Sequence, residues 1–128
     1  MRRRTPLVTG QLYHVYTKSI YGFTIFNNAR EYLRIHQLVK YYQRDRTPLS
    51  YSLFINLSTV KKQGFDEALR KLCDQTEPRI KVICFCYMPT HLHFIIKQLK
   101  DNGITSFMNQ SLNGYSSFFN LLHNRRGP

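Results

Sequence analysis

Tyr87-Met88-Pro89-Thr90-His91-Leu92-His93-Phe94-Ile95-Ile96 is the stretch from which the fold is best read. On its N-terminal side, Arg79 to Tyr87 is a nearly continuous run of β-forming residues, and His91 to Gln98 is another. Pro89 donates no backbone N–H and fits a strand end or a turn, so Met88-Pro89-Thr90 is predicted to reverse the chain and make a hairpin. Within the second strand, side chains alternate between faces with period 2. Leu92, Phe94 and Ile96 then share one face and pack beneath whatever covers the sheet, while His91 and His93 share the other. Two imidazoles one residue apart on a strand can reach the same metal ion. As a bare motif His-x-His is weak, since two histidines on a solvent-facing sheet side satisfy it equally well.

Outward from the hairpin, Gln11 to Lys18 is rich in Tyr, Val and Thr and is predicted as a strand. Gly22 and Asn27-Asn28 mark a loop, and Asn28 is placed to cap a helix. Tyr32, Leu33, Ile35, Leu38, Val39 and Tyr42 follow helical spacing from Ala29 to about Gln43, and Pro48 lies beyond that helix's end. Ser52 to Leu57 is predicted as a short strand. Gly64 to Cys73 is predicted as a helix opening at Asp66-Glu67, acids suited to a positive helix start. A final helix opens at Gly103 and runs to about His123. Ile104, Phe107, Met108, Ser111, Tyr115, Phe118 and Leu122 form its inward stripe, so taken alone Tyr115 is a core tyrosine. This order predicts one α+β domain, residues 1–128, with an antiparallel sheet packed with α-helices on one face.

Composition narrows the function. The 128 residues carry 19 Lys and Arg against seven Asp and Glu, for a formal net charge of +12 and a pI near 10.0. That excess favours polyanions, above all nucleic acid. Nine Tyr and nine Phe add rings on which unpaired bases stack. The apolar runs are too short for a membrane span, and no secretory signal is evident. Cys73, Cys84 and Cys86 lack Cys-x-x-Cys spacing, so a reducing, cytoplasmic location is expected. Cys84 and Cys86 share a strand face in an apolar run and are expected to be buried and inert. The acids form no spaced carboxylate set of the kind a two-metal nuclease needs.

The decapeptide around the histidines resembles the signature of the single-tyrosine HUH transposases, in which two histidines flank a hydrophobic residue. Lys97-Gln98-Leu99, Gly103-Ile104, Phe107-Met108, Tyr115 through Phe119-Asn120, and Arg126-Gly127-Pro128 are similar to transposases of the smallest insertion sequences, especially the REP-associated branch. Tyr13-His14-Val15-Tyr16-Thr17-Lys18 and Ile25-Phe26-Asn27-Asn28 fit the same branch, and the likeness is weakest from Arg44 to Pro78.

The resemblance implies a ferredoxin-like HUH fold, a divalent ion (Mg2+ or Mn2+) on His91 and His93, and Tyr115 as nucleophile. It implies cleavage and rejoining of hairpin-bearing single-stranded DNA through a 5′-phosphotyrosine intermediate. Asn120 is the amide available as a third metal ligand, although at about 100° per residue it points well away from Tyr115 on an ideal helix. Arg2, Arg3, Arg4, Lys18, Arg125 and Arg126 are the expected DNA contacts. A homodimer is one expected assembly, because insertion-sequence enzymes of this kind often share active sites. Thr90 stands where the family commonly has Asn, and Phe119 where some members have Gln. The chain also stops where members continue, so a C-terminal part is expected to be missing. The alternative expectation is an inactive or domesticated relative that binds structured single-stranded DNA or RNA without cutting it.

Overall fold

The structure, a computed structural model, describes residues 6–19 and 22–125. In chain order its elements are β1 (Leu12–Lys18), α1 (Ala29–Tyr42), α2 (Tyr51–Ile55), α3 (Ser58–Gln63), α4 (Phe65–Gln75), β2 (Ile80–Met88), β3 (His91–Gln98) and α5 (Gly103–Leu122). The three strands form one antiparallel sheet in the order β1-β3-β2. The predicted hairpin is present, and Pro89-Thr90 is its whole connection.

Burial along β3 alternates without exception: Leu92, Phe94, Ile96 and Gln98 are buried, and His91, His93, Ile95 and Lys97 are half-buried. The covered face lies under α1 and α5. Phe94 meets Phe107 of α5 edge-on at 5.7 Å, and Ile35, Leu38, Val39, Ile104 and Phe107 complete the core between helices and sheet. Two glycines set how closely these layers approach. A Cβ at Gly114 of α5 would lie 2.9 Å from a Leu38 methyl of α1, and one at Gly103 would lie 2.4 Å from the Arg79 carbonyl oxygen.

Local chemistry fixes the helix ends. Asn28 caps α1 by accepting the Glu31 N–H at 3.1 Å, and the Glu31 carboxylate reaches back to the Asn27 N–H at 2.9 Å. This is a capping box displaced by one residue. At α5 the N-cap residue Asn102 is left-handed and makes no side-chain cap bond. The buried Gln98 amide stands in, accepting the Ile104 N–H at 3.1 Å while donating to the Leu7 carbonyl at 3.0 Å.

Two sequence expectations are corrected. Ser52 to Leu57 is no strand: Ser50 caps α2 by accepting the Leu53 N–H, and Tyr51 and Phe54, three residues apart, anchor the turn in the core. The apolar residues there follow a helical period over too few residues to distinguish it from alternation. The second correction concerns Cys84 and Cys86, which are exposed. Strict alternation from Ile80 would bury both. The register instead shifts between Val82 and Cys84, leaving Ile83 as the extra residue of a β-bulge. One inserted residue reverses the facing of all that follow, so Phe85 and Tyr87 turn towards the helices while Cys84, Cys86 and Met88 turn to the open side.

Candidate metal and nucleic-acid face

The uncovered face of the sheet carries the histidines. Register places Tyr16 opposite His93 and Lys18 opposite His91 on one side, and Cys86 opposite His93 and Met88 opposite His91 on the other. Among the described residues no strand contains an acidic residue. Lys18, Lys81 and Lys97 share this face, so its field is positive.

Each histidine is held by its δ nitrogen. His91 Nδ1 lies 2.8 Å from Thr90 Oγ1, and His93 Nδ1 lies 3.1 Å from His14 Nε2. In the tautomers in which both Nδ1 atoms donate, the ε nitrogens carry the free lone pairs, and among the described residues neither Nε2 meets a partner. Metal-binding histidines are oriented in this way, with the distal N–H tied to a neighbouring acceptor. The two rings stand nearly parallel, 27° apart with centroids 5.9 Å from each other. Thr90 thus makes the supporting bond for His91.

The donor set is partial. Among the described residues no group of three His, Cys, Asp or Glu side chains is arranged to hold a metal. Two neutral imidazoles fit a divalent ion whose remaining positions are taken by water or phosphate oxygens, and do not fit a closed structural zinc site.

Tyr115 lies elsewhere. It projects from α5 into the core, 5% exposed, with its ring 5.0 Å from that of Phe26, and its hydroxyl donates to the Ile25 carbonyl. Burial lifts its pKa above the usual phenol range, with the Glu31 carboxylate adding to the effect. The helix that carries it covers Leu92, Phe94 and Ile96, whereas His91 and His93 occupy the opposite face. The sheet therefore separates Tyr115 from the histidine pair. Asn120, half-buried on the same helix, is in the helical layer too, and its carbonyl accepts the Arg125 N–H at 2.8 Å. The expected assembly of Tyr115 and Asn120 with the two histidines is not present in this arrangement.

Of the expected DNA contacts, Lys18 is exposed on the histidine face. Arg125 is exposed and stacks over Phe23, 4.2 Å from the ring centroid, beyond the end of α5. Arg2, Arg3, Arg4 and Arg126 lie outside the described residues. His14 and Tyr16 of β1 belong to the site, yet reading the residues alone did not single them out. Their signal was the alternation around Val15, whose inward position sends both neighbours outward. A groove of about 580 Å³ lies on the helical side, lined by Arg34, Tyr42, Tyr51, Gly114 and Phe118, among others.

No helix among the described residues is long and apolar enough to cross a membrane. Comparisons with protein-family models, with curated proteins and with solved structures gave no match.

Proposed function

We propose that this chain is the catalytic domain of a divalent-metal-dependent enzyme that cleaves and rejoins single-stranded DNA, a transposase of the single-tyrosine HUH kind. The observation that carries this reading is the pairing of His91 and His93 on the open face, each held by Nδ1 so that both Nε2 atoms are free. The strand order β1-β3-β2, with α1 following β1 and α5 following β3 on one face, supports a ferredoxin-like version of the α+β fold.

His91 and His93 would hold the cation, Mn2+ in preference to Mg2+ because imidazole is a poor ligand for magnesium. When bound, such an ion stabilises the charge that develops on a phosphodiester under attack. Thr90 and His14 fix the two rings, which lowers the reorganisation needed on binding. Lys18 and Lys97 attract the phosphate backbone. Tyr115, as placed, is a structural residue whose hydroxyl is occupied. Attack by it requires α5 to move; otherwise the nucleophile is another group.

A second reading is favoured by that burial: the face binds structured single-stranded DNA or RNA and does not cut. One experiment separates the two. The full chain is incubated with hairpin-bearing single-stranded DNA and Mn2+, resolved on a denaturing gel, and any covalent adduct is digested and mapped by mass spectrometry. An adduct that needs both metal and the histidine pair supports strand transfer, and the mapped peptide identifies the nucleophile. Tight binding by the chain with no adduct at any residue supports the binding-only reading.

A further inference from the structure

The open face carries a row of rings as well as a pair of ligands. Tyr16 lies opposite His93 in register, 19° from parallel with centroids 5.8 Å apart. His14 lies 14° from parallel with His93 at 5.4 Å, and 5.7 Å from Tyr16. With His91 this makes four rings spread across two strands. Tyr16 is 56% exposed, and the other described tyrosines are half-buried or buried. It sits on β1, an edge strand among the described residues, so no further strand covers its outer flank. An exposed tyrosine has no core to support here, and keeping it in water forfeits the burial of a large ring.

We infer that Tyr16, with His14 and His93 behind it, is a stacking platform for one unpaired base of single-stranded DNA. The inference rests on the proposed nucleic-acid reading of this face and specifies how that face recognises its ligand. A base laid on the free flank of Tyr16 extends the row by one ring. Its phosphate then falls on the side of Lys18, which shares the face and stands opposite His91. Duplex DNA offers no splayed base to this platform, so the contact selects single strands. It reads no sequence, since every base has a π-face.

The test uses an oligonucleotide labelled with 2-aminopurine, whose fluorescence is quenched on stacking, and three forms of the full chain: wild type, Tyr16→Phe and Tyr16→Ala. Because the side chain is exposed, the thermal melts of all three should coincide. Tyr16→Ala should weaken binding by about tenfold or more and abolish the quenching, whereas Tyr16→Phe, which keeps the ring, should stay within about twofold of wild type. An oligonucleotide with an abasic residue at the quenched position should bind wild type and Tyr16→Ala equally. Unchanged binding and quenching by Tyr16→Ala, or a loss as large in Tyr16→Phe, overturns the platform while leaving the metal-site reading intact. If wild type binds duplex as tightly as single strand, the proposed substrate class fails along with the platform.

Discussion

Replacing Tyr115 by Phe removes one oxygen and tests which of two roles that tyrosine plays. The hydroxyl donates to the Ile25 carbonyl, and the ring is enclosed by Phe26, Phe118 and Phe119 at centroid distances of 5.0, 5.9 and 6.0 Å. The variant keeps every ring contact and loses one hydrogen bond, worth about 1 kcal/mol net, with up to about 3 kcal/mol lost if the Ile25 carbonyl is left without a partner. For a chain of this length each kcal/mol is roughly 4 °C in Tm. Tyr115→Phe should therefore melt about 4–12 °C below wild type by circular dichroism. Tyr115→Ala should lose about 3–5 kcal/mol, because it empties a core position. A residue held ready only for nucleophilic attack would behave oppositely, with an unchanged melt and no adduct. Tyr115→Phe melting with wild type would refute the placement of this hydroxyl as a core contact. A lowered melt with the adduct retained would locate the nucleophile at another residue.

Gly103→Ala sets a new methyl 2.4 Å from the Arg79 carbonyl oxygen, so it should cost about 1–3 kcal/mol in urea unfolding despite alanine's higher helix propensity; an equal or higher midpoint would contradict that close approach. Glu31 is fully buried. Burial pulls its pKa up, but the Asn27 N–H, His123 and the Asn27 amide outweigh this and hold it below its usual value near 4.5. The folded state then binds fewer protons than the unfolded chain, so this stabilisation is complete above about pH 5 and fades as pH falls through and below about 4.5. Glu31→Gln should lower stability at pH 7 and flatten the acid limb of a stability-against-pH curve, and an unaltered limb would refute the coupling. Cys73, Cys84 and Cys86 should all react with a maleimide in the native protein. Single-stranded DNA should protect Cys84 and Cys86 but not Cys73, which lies on α4 away from the open face, and the opposite footprint would move the binding surface to the helices.

The hairpin, the alternation of β3, the amphipathic α1 and the long α5 were legible because each rests on a period sustained over many residues. The bulge at Ile83 was not, since an inserted residue leaves no mark in a run that is apolar on both parities, and the two cysteines were misplaced with it. The five-residue α2 and the unexpected α3 depend on the Ser50 cap and on Tyr51, Phe54 and Val60 finding the core, which is tertiary information. The candidate site was half legible. His91 and His93 lie half-buried on the uncovered face, as their alternation with Leu92 and Phe94 predicts. The same rule already opposed grouping them with Tyr115: a helix whose inward stripe contains Tyr115 covers the leucine side of β3, the side the histidines avoid. Thr90 and His14 complete the site, the first from the turn directly before His91 and the second from a strand 79 residues away from His93 in sequence, a pairing that only the register of β1 against β3 reveals.

The claim on which the account rests is that His91 and His93 hold one divalent cation without help from α5. Titrating the chain with Mn2+ and following the free ion by electron paramagnetic resonance tests it directly. Wild type, Asn120→Ala and Tyr115→Phe should each take up one Mn2+ with similar affinity, and the double variant His91→Ala, His93→Ala should take up none. Equal uptake by the double variant, or loss of the ion in Asn120→Ala, would contradict the account.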